Sequence, residues 1–229
     1  QQPQPERLQD VELGIEQKNS SFTWNANVYY MKYKDQLVQT GKINDVGAYT
    51  RTNVPYSYRA GIELQAKWQP LPWFNASANI AFSKNKIKNY TAFYDDYDNG
   101  GQKSETYKET DISFSPSVIG GGILNFIPVQ NAELSLLSKY VGKQYLDNTS
   151  SNDKKLNAFY VQDVRLTYSI PKLLFKEINL MAQVNNIFNK KYEPNGYTYG
   201  YISEGNLVND NYYFPMAGTN FMVGVNVRL

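Results

Sequence analysis

Between Tyr58 and Trp68 the chain alternates strictly. Tyr58, Ala60, Ile62, Leu64, Ala66 and Trp68 fall on one parity, and Arg59, Gly61, Glu63, Gln65 and Lys67 on the other. A period of two predicts a strand with one apolar and one polar face. Phe74, Ala76, Ala78, Ile80 and Phe82 repeat the pattern, as do Phe221, Val223, Val225, Val227 and Leu229. Weaker alternation runs through Leu8–Gln17, Phe22–Lys34, Phe114–Phe126, Ala132–Tyr140, Tyr160–Ile170 and Ile178–Phe188. The expectation is about nine long strands and no helix. At about 9–13 residues they exceed the ~5–6 of soluble strands and match a tilted bilayer crossing. Aromatics mark the ends of the apolar rows (Tyr58 and Trp68, Phe74 and Phe82, Phe22 with Trp24 and Tyr30). Such girdles suit a membrane interface. Alternation alone fits a membrane barrel and a soluble β-sandwich equally.

The links between strands separate these two folds. Lys18–Ser21, Gln69–Pro72, Ile127–Asn131 and Pro171–Glu177 are short; Asp35–Pro55, Lys88–Ile112, Gly142–Asn157 and Asn189–Gly218 are long. In an antiparallel meander successive links lie at opposite ends, so all short links gather at one end. Outer-membrane barrels have this polarity, with tight periplasmic turns and longer outward loops. Greek-key connections give no reason for it. An amphipathic strand running to Leu229 suits a terminal strand that pairs onward to close a sheet. Single-chain bacterial barrels normally have even strand numbers, so an odd count predicts further strands supplied from elsewhere, since an open edge in lipid is not viable.

Composition narrows the chemistry. The 229 residues hold 23 Lys+Arg against 21 Asp+Glu, a net charge of +2 that argues against nucleic acid as partner. With no cysteine and no histidine, disulfides, thiolate zinc sites and imidazole bases are excluded. Mean hydropathy is −0.55 despite 20 Tyr, 11 Phe and 3 Trp. No run approaches the ~20 apolar residues of a membrane helix. The polar start QQPQPERLQDVEL carries no signal peptide. The chain is therefore expected either to stay inside the cell or to begin somewhere other than its natural start.

Four segments carry a family resemblance. VNNIFNKKYEPNGY (Val184–Tyr197) resembles the penultimate strand and following loop of TonB-dependent outer-membrane receptors. PERLQDVELGIE and YRAGIEL (Tyr58–Leu64) resemble recurrent strands of the same barrel half, and PMAGTNFMVGVNVRL resembles the terminal strand. The segments occur in the family's order across nearly the whole chain. The family usually ends in an aromatic residue, whereas this chain ends in Leu229. The loop style is similar to that of receptors from Bacteroidetes. The resemblance implies an all-β, membrane-spanning, antiparallel up-and-down barrel of 22 strands closed around an N-terminal plug. This chain would supply the C-terminal portion, about strands 14 to 22, as a single barrel segment over residues 1–229. The lipid bilayer of the outer membrane, the upstream plug and TonB would be its partners, with a small molecule or metal chelate as ligand.

The long links hold the candidate ligand contacts. Lys88–Ile112 carries Tyr94 and Tyr97 among acidic residues; Asn189–Gly218 carries Tyr197, Tyr199, Tyr201, Tyr212 and Tyr213. Tyrosine offers rigid contact area with a polar tip, enough to grip an iron chelate, a corrinoid, a haem or a glycan, although tyrosines also pack on one another. Asp95, Asp96 and Asp98 lack the glycine and downstream Glu of a calcium loop and are expected to be solvated, so no metal site is assigned. Gly120–Gly122 has no phosphate-cradle spacing and suits close approach of backbone. Asn125, Asn185 and Asn186 are expected as strand amides near the lumen. Arg59, Glu63, Lys67, Glu133, Lys139, Asp163, Arg165 and Arg228 are expected to face the lumen and to pair there with each other or with the plug. No residue is expected to be catalytic and no cofactor is implied. The reading is active import of a scarce nutrient. Its rivals are a passive pore or adhesin barrel and a soluble carbohydrate-binding β-sandwich.

Overall fold

The structure is a computed structural model that describes residues 3–171 and 176–229. Among these residues the chain forms strands and turns and no helix. The strands are β1 (Arg7–Lys18), β2 (Phe22–Ile43), β3 (Tyr49–Leu71), β4 (Phe74–Asp96), β5 (Gln102–Asp111), β6 (Val118–Val129) and β7 (Ala132–Val141), then β8 (Gln144–Tyr145), β9 (Lys155–Leu156), β10 (Phe159–Pro171), β11 (Glu177–Asn185), β12 (Asn195–Ser203), β13 (Asn206–Phe214) and β14 (Asn220–Arg228). Nine of them lie side by side as β1-β2-β3-β4-β6-β7-β10-β11-β14. Each is antiparallel to the next. These are the nine that alternation predicts. The other five are built from the long links.

Register makes the apolar parity continuous across the sheet. Leu13 pairs with Val28, Val28 with Ile62, and Ile62 with Phe82. Further along, Leu124 pairs with Leu136, Leu136 with Val164, Val164 with Val184, and Val184 with Phe221. A one-residue slip would turn any strand's apolar set to the opposite face, so the pattern specifies the pairing. This face is uncovered: Leu13 is 74% and Val223 79% exposed. It ends in two aromatic belts. One holds Trp68, Trp73, Phe74 and Phe126, with Phe74 5.1 Å from Phe126 and 6.0 Å from Trp68. The other includes Tyr30 stacked on Tyr58 at 6.1 Å. Tyr58 and Trp68 both lie on β3; their ten-residue spacing spans about 25 Å across a tilted sheet, the height of a barrel's apolar band.

The short links Lys18–Ser21, Gln69–Pro72 and Ile127–Asn131 share one end, as predicted; Pro171–Glu177 lies largely outside the described residues. At the opposite end β2, β3 and β4 run far beyond their predicted limits, to 22, 23 and 23 residues. Much of the predicted links Asp35–Pro55 and Lys88–Ile112 is therefore strand. The reason is a shared change of phase. Asp35 and Asn89 take positive φ of 57° and 54°, and Pro55 lies opposite Asp35. Beyond this line the parity that is buried inverts, so Val38, Val54, Tyr90, Ala92 and Tyr94 join Ile87 in one buried cluster. The protein's principal core thus sits above the apolar belt. Two other boundaries move: β6 begins at Val118 rather than Phe114, whose φ is 50°, and β11 ends at Asn185, because Asn186 (φ 51°) turns the chain before Phe188.

Candidate ligand-binding face

The long links build a folded cap at one end of the sheet. β12 and β13 form a hairpin closed by Glu204 and Gly205, both at positive φ (52° and 75°), the backbone that a two-residue turn with this twist requires. The hairpin adds to the free edge of β4, where Tyr201 and Ile202 pair in parallel with Asp95 and Asp96. Tyr49 secures its other end by donating to Asn195 Oδ1 and to the Gly196 carbonyl, both at 2.8 Å. Glycine is needed at Gly196, where a Cβ would lie 2.4 Å from the Tyr212 carbonyl oxygen. Beneath it the β8–β9 ribbon buries Leu146, Asn148, Lys154 and Leu156.

Alternation sorts the predicted tyrosines. On β12, Gly196, Thr198 and Gly200 are buried, leaving Tyr197, Tyr199 and Tyr201 on the other face. Register adds Tyr212 and Asp210 from β13 to that face and puts Tyr213 opposite Gly196. Tyr197 stacks on Tyr212 at 4.8 Å and 15°, and Tyr97 meets Tyr201 edge-on at 5.4 Å. Tyr199 donates to the Ile43 carbonyl. Tyr94 is only 6% exposed, with its hydroxyl 3.3 Å from that of Tyr107 and the Lys154 ammonium over its ring. Five of the seven tyrosines, Tyr97 included, therefore form one aromatic surface. Tyr94 lies in the core below and Tyr213 on the reverse side.

Two hydroxyls of the hairpin are pushed above the ordinary phenol range. Burial, and then the Asp210 carboxylate, raise the Tyr201 hydroxyl; burial and Glu193 raise Tyr213. Beneath them burial pushes Tyr90 up to about 12, with Asp147 adding to it. The face offers aromatic rings and phenol hydroxyls as contacts. The acidic triplet is dispersed. Asp95 accepts from Gln102, Asp96 from Lys103 and Asn99, and Asp98 from the Glu204 and Gly205 backbone. Hydrogen bonds from Lys103 first, then from Asn99, lower Asp96 to about 2.

Register also places all eight predicted charged residues on the polar side of the sheet. Among the described residues none of the eight joins a salt bridge. Arg59 donates instead to Asn85 and Ser115, while Asp163 accepts the Asn186 amide. A cavity of about 800 Å³ opens on this side, lined by Lys139, Asp163, Asn185, Asn186 and Tyr192. Asn125 and Asn185 lie on strands; Asn186 lies just past β11. Sequence reasoning missed Tyr49, Asp210 and Lys154. The tyrosine–glycine alternation from Gly196 to Tyr201, followed by Glu204-Gly205, is the signal that marks the hairpin.

The profile of the family described as "TonB dependent receptor-like, beta-barrel" matches residues 2–187. The chain belongs to this family. It is 24% identical over 227 residues to the pesticin receptor of Yersinia enterocolitica and 23% identical to that of Yersinia pestis. Each alignment covers 98% of this chain but only 29% of the relative, so the chain spans under a third of the length of these receptors. Solved structures share the fold. The ferric yersiniabactin uptake receptor FyuA of Yersinia pestis superposes with TM-score 0.64 at 22% identity, over 97% of this chain and 29% of that one. The siderophore receptor PiuA of Acinetobacter baumannii gives 0.69 at 18%, over 96% and 28%. The copper transporter OprC gives 0.65 at 18%, over 98% and 32%. The sheet is thus part of a TonB-dependent receptor barrel, and its relatives are receptors and transporters rather than enzymes.

Proposed function

We propose that this chain is the C-terminal wall and outer cap of an outer-membrane importer that captures a ferric siderophore-type chelate. The observation that carries this reading is the aromatic face of Tyr97, Tyr197, Tyr199, Tyr201 and Tyr212, held rigid by the hairpin's pairing to β4. Ring faces and hydroxyls suit an intact chelate, whose organic shell they meet while the metal stays wrapped. Structural relatives named for ferric yersiniabactin and for a siderophore support this ligand class, although a copper transporter shares the fold. The eight charged residues of the polar side contact a plug supplied upstream. TonB acts on that plug, drawing on the inner-membrane proton gradient.

The test is uptake and binding of iron-55 chelates by the full-length receptor in cells lacking other iron receptors. Tyr197→Ala and Tyr212→Ala should each weaken binding by about 10–30-fold, as expected for buried aromatic anchors. Wild-type cells that take up cobalamin or oligosaccharide but no ferric chelate would refute the ligand class.

A further inference from the structure

Among the described strands the apolar belt has a charged border on one side only. Following register outward from the Tyr30–Tyr58 girdle, the lipid-side parity places Lys84 beside Ala60, Lys32 and Lys86 on either side of Tyr58, and Lys34 and Lys88 on either side of Tyr56. Arg7 of β1 pairs with Lys34 and extends the last row. Six cations on β1, β2 and β4 thus flank the β3 tyrosines over three successive rows, a patch about 15 Å across each way. The carboxylates on the same rows are Asp111 and Glu109 of β5. Lys86 bonds Asp111 at 2.7 Å, and among the described residues none of the other five has a carboxylate within salt-bridge reach. At the opposite girdle Lys18 and Lys67 turn to the polar side, and no lysine or arginine of the described strands joins the aromatics on the lipid side.

Unpaired cations at the rim of an apolar belt, interleaved with tyrosines, match a ligand with an anionic head and apolar tails. We propose that this patch binds the phosphorylated headgroup of a lipid in the leaflet beside the long loops. Lys32, Lys34, Lys84, Lys88 and Arg7 hold phosphate, Tyr56 and Tyr58 lie against the sugar or glycerol, and the acyl chains run down the apolar rows. The inference rests on the outer-membrane reading above, which sets the long loops outside and so puts the patch in the outer leaflet.

The test uses the full-length receptor, extracted and delipidated in detergent. Native mass spectrometry follows titration with bisphosphorylated lipid A, its dephosphorylated form and inorganic pyrophosphate. The bisphosphorylated lipid should bind, and the K32Q/K34Q/K88Q variant should lose about 100-fold, each cation being worth about 5-fold near an anionic surface. The K18Q/K190Q/K191Q control should lose little. Equal binding of the dephosphorylated lipid to wild-type receptor would overturn the proposal without any variant. So would unchanged binding by K32Q/K34Q/K88Q, or pyrophosphate binding as tightly as the lipid. Chelate uptake is scored separately. Its failure with lipid binding intact refutes the transport reading alone; uptake without phosphate-dependent lipid binding refutes the patch alone.

Discussion

The Asp98 carboxylate holds the backbone amide of Gly205 at 2.8 Å through Oδ2, while its Oδ1 takes the neighbouring amide of Glu204 at the same distance. One side chain at the tip of the β4–β5 hairpin thus clamps the turn of the β12–β13 hairpin. Charge-assisted bonds of this kind are stronger than neutral ones. Asp98→Ala is expected to free that turn. Amide exchange at residues 203–207 should accelerate at least about tenfold, with melting of the whole receptor little changed. Unaltered exchange would show that the clamp is incidental.

Lys154 and Asp147 form a buried ion pair at 2.9 Å, with side chains 2% and 9% exposed. Asp147 also accepts from the Thr149 hydroxyl and amide. Removing one member leaves a buried charge, at a cost of about 3–5 kcal/mol. Lys154→Met should therefore make the cap protease-sensitive between residues 142 and 158. The double change with Asp147→Leu should recover much of the loss, because replacing both partners removes the stranded charge.

Gly61 lies beneath Tyr29. A Cβ there would come within 2.6 Å of both the Tyr29 hydroxyl and the Phe82 carbonyl oxygen. Gly61→Val should push the ring off the sheet and lower barrel stability by about 1–3 kcal/mol. Urea unfolding in lipid vesicles would measure it, and Gly14→Val, at a strand glycine where a Cβ would meet nothing closer than 3.5 Å, controls for the loss of glycine itself.

Asp96 makes the cap acid-sensitive. Its folded value of about 2 lies below the ordinary carboxylate value, chiefly because of Lys103 and then Asn99. The stabilisation is complete above about pH 4 and disappears as pH falls through 2. Proteolysis of the 96–102 turn by an acid-active protease should rise across that interval. Asp96→Asn should flatten the rise, and because Lys103 is 56% exposed, high salt should blunt it as well.

Nine wall strands were legible because each satisfies one rule, lipid on one side and polar surroundings on the other, and Leu13, Ile62 and Val225 obey it without exception. The cap was not legible. At Asp35 and Asn89 the backbone changes phase, so Ile87 and Tyr90, three residues apart, are buried together. No strict period of two survives that. Lys154 reads as a solvated lysine until Asp147 is brought to it by the fold. The tyrosines were recognised by composition, but only the register of β12 with β13 separates Tyr197 and Tyr212 from Tyr213.

Tyr201 meets Asp95 across more than a hundred residues of intervening chain. Contacts of such wide sequence separation close late in folding. The β12–β13 hairpin reaches its seat on β4 only by spanning the intervening wall strands β6, β7, β10 and β11. The aromatic face is therefore expected to form only in a wall whose strands are all in place, and under the proposed function a receptor stalled during insertion would capture no chelate.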